Sequence, residues 1–254
     1  MKKIIATGKG GVGKTTTLTT VSLLMAREGR RVIVFDTDPS MNLALSFGIP
    51  YDSVSTITED KHDISHELED NGISESGQQI LEEHSVVTPD GIRIVIMGAI
   101  QHGGDGCLCS AISVIKMLLD YVEENGGYDI AIVDSQAGPE ILGRGLAAKF
   151  DCNVVLSEPT AKSSEVSRQV KKLADDLGVK DTILIVNKAD SPSDVSFTAQ
   201  MVGVEPYKAT GIMFDRDVVM ADREGKLLAD AYPDSAALAD LKKAKSMIET
   251  AIGW

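Results

Sequence analysis

Eight residues, Gly8-Lys9-Gly10-Gly11-Val12-Gly13-Lys14-Thr15, stand between an apolar run at 3–7 and a helical pattern at 15–27. They complete the pattern G-x-x-x-x-G-K-T, and no other stretch narrows the possible folds so far. The pattern has a mechanism only where a strand delivers the loop and a helix N-terminus follows it. Glycines then let backbone N–H groups close round phosphates, Lys14 sets positive charge at the β and γ positions, and the Thr15 hydroxyl can ligate Mg²⁺. Strand, loop and helix all fall where that mechanism needs them. Gly8, Gly10, Gly11, Val12, Gly13, Lys14, Thr15 and the following Thr16 form the expected phosphate-binding set.

Further apolar runs at 31–36, 92–97, 129–133, 152–156, 182–186 and 210–213 read as strands, while 111–124, 162–177 and 235–251 carry helical spacing. Strand alternating with helix predicts an α/β fold, a mostly parallel twisted sheet of about seven strands with helices on both faces. A length of 254 residues suits a single domain, 1–254. Residues 50–90 interrupt the rhythm. They are rich in acid, Ser and Gly and poor in large apolar groups, which predicts an exposed acidic insertion, mobile or facing a partner.

A formal net charge of −13 repels nucleic acid and anionic lipid at long range. The best local basic patch is C-terminal, where Lys242, Lys243 and Lys245 lie near Leu238, Leu241, Ile248 and Ile252. That apolar spacing predicts a helix docked on the core rather than on a membrane. No run approaches the ~18 apolar residues of a membrane span, and glycines break the apolar start after position 7, so neither a span nor a signal peptide is expected. The expectation is a cytoplasmic protein with no nucleic-acid or membrane partner. Its three cysteines are too few for a disulfide scaffold. Cys107 and Cys109 share the stretch GDGCLCS (104–110), whose C-x-C spacing matches neither four-ligand zinc nor a C-x-x-C redox pair within one chain. Either the pair is incidental or another chain completes it. Cys152 opens the apolar CNVVL and reads as a core thiol.

Lys9 is a second lysine in the phosphate loop. With it the loop resembles the KGGxGK[ST] of the deviant Walker A ATPases, the SIMIBI-class group that contains MinD, ParA, the nitrogenase iron protein and the CooC-type nickel-insertion ATPases. In that family the extra lysine crosses a dimer interface and, like an arginine finger, adds positive charge where the transferred phosphoryl group develops negative charge. The resemblance implies a homodimer using ATP and Mg²⁺, with Lys9, Lys14 and Asp38 as the catalytic set. VFDTDP (34–39) puts Asp36 and Asp38 at the carboxyl edge of the sheet, where a nucleotide binds in an open α/β fold. By family analogy Asp38 orients or activates the attacking water and Asp36 lies nearer the magnesium shell. YDIAIVD (128–134) delivers Asp134 to SQAG; Asp134 would hold Mg²⁺ and the backbone N–H of Gly138 would sense the γ-phosphate.

The run TILIV (182–186) ends in Asn187-Lys188-Ala189-Asp190. N-K-x-D is also the guanine-reading pattern of GTPases, in which the Asp takes two donors from the base. In the deviant Walker A family an Asn at this point contacts adenine, and a segment of the type IPYDRxVxxAxxxG completes the pocket. Residues 211–225 read GIMFDRDVVMADREG, with Asp215 matching and Met213 and Phe214 replacing the Pro and Tyr. Lys9 and this segment favour ATP over GTP, with Asn187, Lys188 and Asp215 at the base.

The CooC-type ATPases, which support nickel insertion into carbon monoxide dehydrogenase, carry a C-x-C in a Gly-containing loop before a helix, and GGDGCLCS is similar to it. The nitrogenase iron protein instead pairs a loop cysteine with one just after switch II, and 135–149 contains none. In a twofold dimer two such pairs give four thiolates, a set that suits Zn²⁺ and takes Ni²⁺ in flattened geometry. His102 is either an accessory ligand or a loop histidine bonded to backbone, and the i, i+4 pair His62 and His66 reads as a solvated face. The expected function is an ATP-hydrolysing metallochaperone for a client nickel enzyme of the carbon monoxide dehydrogenase kind. The alternatives are a MinD/ParA-like regulatory or positioning ATPase, or a nickel-handling GTPase.

Overall fold

The structure is a computed structural model that describes residues 1–99, 108–148 and 150–254, with only the backbone at Asp52, His62 and Glu69. Eight strands make one sheet: β1 Lys2–Gly8, β2 Val32–Asp36, β3 Ser85–Val87, β4 Arg93–Ile96, β5 Ile130–Asp134, β6 Cys152–Ser157, β7 Asp181–Ala189 and β8 Ala209–Met213. Their spatial order is β3-β4-β2-β5-β1-β6-β7-β8, parallel except for β3, which runs antiparallel on β4. The helices are α1 Lys14–Arg27, α2 Asn42–Ser46, α3 Lys61–Asn71, α4 Ile73–Glu83, α5 Cys109–Asn125 and α6 Glu140–Gly143. After them come α7 Ala161–Asp176, α8 Pro192–Val202, α9 Arg216–Arg223, α10 Leu228–Ala231 and α11 Ala236–Ile252.

The strands VIVFD, IAIVD and CNVVLS are buried along their whole length, because helices cover both faces of a parallel sheet. Side chains alternate between two cores. Ile4 and Ala6 of β1 pack with Leu18 and Leu241 on the α1/α11 side, whereas Ile5 packs with Ile115 and Leu118 of α5 on the other. Leu238, Leu241, Ile248 and Ile252 are buried, so α11 docks as its spacing predicts. Lys242 and Lys243 stay exposed. Lys245 departs from the expected basic face: it is buried between Glu28 and Glu249, since an ammonium inside the protein needs anionic partners.

Residues 50–90 also differ from expectation. They fold into α3, α4 and the edge strand β3, and bury Ile57, Ile64, Ile80 and Leu81 in the α5 core. Glu59, Asp63, Asp70, Glu75, Glu82 and Glu83 are exposed, whereas Asp60, Glu67 and Asp90 are half-buried. Gly77, which counted towards an irregular segment, is a packing point, since a Cβ there would lie 2.5 Å from the Tyr121 ring. Among the described residues no helix is long and apolar enough to cross a membrane.

Candidate nucleotide site

β1 approaches β6 so closely at Gly8 that a Cβ would fall 2.2 Å from the Leu156 carbonyl oxygen, and Gly8 has φ +145°. Only glycine serves there. Gly13 caps α1 in the left-handed region at φ 94°, and a Cβ on it would meet Asn187 Nδ2 at 2.3 Å. Lys14 opens α1, is 6% exposed, and bends its Nζ to within 3.4 Å of the Lys9 carbonyl. Burial pushes the Lys14 ammonium down from its ordinary pKa, while the charges of Asp134 and then Asp38 oppose the shift.

Two carboxylates face this loop from adjacent strand ends, with Asp36 and Asp134 in register where β2 pairs with β5. The Thr15 hydroxyl donates to Asp134 Oδ2 at 2.6 Å, and Asp134 Oδ1 is buried with no hydrogen-bond partner. Burial raises the Asp134 pKa against the Thr15 hydrogen bond and the Lys14 charge. Asp36 is raised by burial first and by the charge of Asp134 second. An orphaned buried carboxylate oxygen beside a threonine hydroxyl fits Mg²⁺, which is held by one or two protein oxygens with water and phosphate completing the shell. Thr15 and Asp134 would hold that ion, and it would supply charge against the phosphates. Asp36 does different work: its oxygens accept the N–H groups of Asp38 at 3.0 Å and Leu43 at 3.1 Å and so shape the turn after β2.

Asp38 lines a cleft of about 760 Å³ together with Gly13, Lys14, Thr16 and the segment Ala221–Leu228, which joins the end of α9 to the start of α10. Its Oδ1 accepts the Ser40 N–H at 3.0 Å and hydroxyl at 2.7 Å. Thr37, between the two acids, escaped the sequence reading. It is fully buried, and both its N–H and its hydroxyl donate to the Asp134 carbonyl at 2.9 Å, which ties the turn to β5. A buried threonine between two strand-end acids is the only sequence signal it had.

The Gly138 N–H donates to the Gly8 carbonyl at 3.0 Å, so in this state it closes on the phosphate loop rather than pointing at a γ-phosphate. Asn187 braces the same loop. Its Nδ2 donates to Val12 O at 2.8 Å and its Oδ1 accepts the Lys188 N–H at 2.9 Å. Lys188, at φ 56°, reaches Gly11 O at 3.1 Å and Glu158 at 2.6 Å. Asn187 and Lys188, two of the three residues expected at the base, thus bond to the loop backbone. Asp215 lies outside the cleft lining and caps α9, taking the N–H groups of Ala237 at 3.0 Å and Asp217 at 2.9 Å and the Ser235 hydroxyl at 2.8 Å. Those donors hold its carboxyl below the usual range, as an N-cap position explains. Lys9 is partly exposed in the loop.

Cys109 is the first residue of α5 and is exposed. Cys107 and His102 lie outside the described residues, as does the His62 side chain, while His66 is exposed on α3. Among the described residues no group of three or more His, Cys, Asp or Glu is placed to hold a metal. Cys152 is fully buried and its thiol is pushed up to about 12 by burial, which leaves it inert.

Comparison with known proteins places this geometry. Residues 3–229 match the CobQ/CobB/MinD/ParA nucleotide binding domain. The carbon monoxide dehydrogenase accessory protein CooC of Rhodospirillum rubrum is 32% identical over 241 residues, 91% of this chain and 90% of that one. An uncharacterized ATP-binding protein of Methanocaldococcus jannaschii is 31% identical over 261 residues, 95% of each chain. In fold alone, the septum site-determining protein MinD of Pyrococcus horikoshii, complexed with Mg-ADP, superposes with a TM-score of 0.76 at 22% identity, covering 100% of this chain and 98% of that one. The chain therefore belongs to the CobQ/CobB/MinD/ParA nucleotide-binding family, and it is a P-loop ATPase of that family.

Proposed function

We propose that the chain works as a homodimeric, ATP-driven maturation factor that carries Ni²⁺ or Zn²⁺ on Cys107 and Cys109 of its two copies and assists nickel insertion into an enzyme of the carbon monoxide dehydrogenase kind. The observation that carries this reading is the similarity to CooC across nine-tenths of both chains. The exposed position of Cys109 at the start of α5 supports it, because α5 begins at the carboxyl edge of the sheet that also bears the nucleotide cleft. In the cycle, the loop N–H groups and Lys14 orient the phosphates and Asp38 orients water. Lys9 from the second copy adds positive charge at the transferred group. Closing and reopening the dimer changes the separation of the two cysteine pairs and hence metal affinity.

The MinD likeness favours a second reading, a positioning ATPase whose cysteines are structural. An equilibrium titration of apo protein with Zn²⁺ and with Ni²⁺, with and without a non-hydrolysable ATP analogue, separates the two. The maturation reading expects binding that changes with nucleotide and is lost in Cys107→Ala and Cys109→Ala. Binding indifferent to nucleotide, or unchanged in both variants, supports the positioning ATPase.

A further inference from the structure

We infer that Tyr51 is a positioning residue for ATP hydrolysis, its hydroxyl holding the turn that aims Asp38. The inference rests on the reading of Asp38 as the group that orients the attacking water. Tyr51 opens a short 3-10 helix, Tyr51–Ser53, beyond α2. Its Oη donates to the Ser40 carbonyl at 3.0 Å and lies 3.3 Å from Asn42 Oδ1. Ser40 in turn gives its N–H and its hydroxyl to Asp38 Oδ1, and Asn42 Nδ2 donates to the Ser40 hydroxyl at 3.0 Å. An unbroken run of hydrogen bonds therefore leads from Tyr51 through Ser40 to one oxygen of Asp38.

The turn needs such a strut. Met41 sits at φ 50° and ψ 39°, a left-handed conformation that costs a non-glycine residue free energy and persists only where the surroundings over-determine it. Two of the restraints come from the strand end, where Asp36 holds the N–H groups of Asp38 and Leu43. Another is internal, from the Met41 N–H to the Asp38 carbonyl. Tyr51 supplies the one from the far side, out of the segment that leads to α3. With Oδ1 occupied twice, Asp38 has a fixed orientation in the cleft beside Lys14, and orientation is what a water-positioning group contributes. Burial and then the charge of Asp36 hold the Tyr51 phenol above its ordinary pKa, so it stays a donor through the physiological range.

Tyr51→Phe deletes the hydroxyl and keeps the ring, so steady-state ATP hydrolysis by the full chain reads the strut directly. The expected result is a fall of about tenfold in kcat with KM for ATP within about twofold of wild type. Ser40→Ala, which removes a donor to Asp38 from the same run of bonds, should reproduce that split. In an Asp38→Asn background the further change Tyr51→Phe should leave the residual rate where it was, an outcome that a merely structural role for Tyr51 does not give. Wild-type kcat in Tyr51→Phe, or an undiminished further fall in the Asp38→Asn background, overturns the inference while leaving the role of Asp38 standing. Wild-type turnover in Asp38→Asn alone overturns the reading of Asp38, and the strut falls with it.

Discussion

β5 starts beside one aspartate and ends on another, and the two have opposite surroundings. Asp129, just before the strand, takes the Arg31 guanidinium at 2.7 Å and the Arg31 N–H at 2.8 Å, which hold its carboxyl down to about 2. Asp134, the last residue of the strand, is buried, has one oxygen with no partner, and titrates above its ordinary value because of that burial. The contrast extends along the sheet. At the amino edge Asp151 is matched by Lys180 and the Lys3 N–H, and Asp181 by Lys208. At the carboxyl edge Asp36 and Asp134 lie side by side, with the Lys14 ammonium as the positive charge near Asp134. One edge has its charges satisfied within the chain and serves stability. The other keeps them incomplete, which is where an open parallel sheet binds its ligand.

The largest effect is expected at Asp134. Asp134→Asn removes a magnesium ligand, and ATP turnover should drop by about a hundredfold or more. The same change should raise the thermal stability of the nucleotide-free protein at neutral pH. A carboxyl whose pKa is raised by folding binds its proton more tightly in the folded state. Wild-type stability therefore declines as pH rises from the unfolded value near about 4 through the folded one. Melting curves recorded across that window should show a shallower decline in the variant. A variant that melts lower than wild type at every pH would mean that Asp134 is a structural residue like Asp129.

At the opposite edge the effect is smaller and has the opposite sign. Burial pushes Asp151 up, but the Lys180 ammonium and the Lys3 N–H outweigh it and leave its pKa lowered. A lowered carboxyl stabilises the fold fully above its unfolded pKa and loses that contribution as pH falls through the folded value. Asp151→Asn should thus cost about 1 to 2 kcal/mol at pH 7, with the gap from wild type closing below about pH 4. Denaturant unfolding measures the cost, and turnover per folded molecule should not change.

The carboxyl edge was largely legible in the sequence because its chemistry is local. Gly8, Gly13, Lys14 and Thr15 are fixed by one strand–loop–helix unit, and Asp36 and Asp134 by the ends of two apolar runs. What escaped depends on distant contacts. Residues 50–90 looked irregular because Gly72, Gly77 and the acids dilute a helical apolar spacing, and only the Tyr121 ring lying against Gly77 explains that glycine. An Asp before Arg-Asp-Val-Val is an N-cap signal as well as the motif's base-contact position, and Asp215 caps α9 while also accepting the Ala237 N–H at the start of α11. The motif puts Asn187 and Lys188 at the base. Their hydrogen bonds to Val12 and Gly11 depend on how far β7 stands from the phosphate loop, which no spacing along the chain encodes.

Native mass spectrometry of the full chain with a non-hydrolysable ATP analogue and either Zn²⁺ or Ni²⁺ tests the proposed function most directly, because it counts chains, nucleotides and metal ions in one particle. Two chains, two nucleotides and one metal ion are expected, with the ion lost when Cys107 and Cys109 are both replaced by Ala. A particle that keeps one ion per chain after that replacement, or that holds two chains and two nucleotides and never takes up metal, would contradict the proposed function.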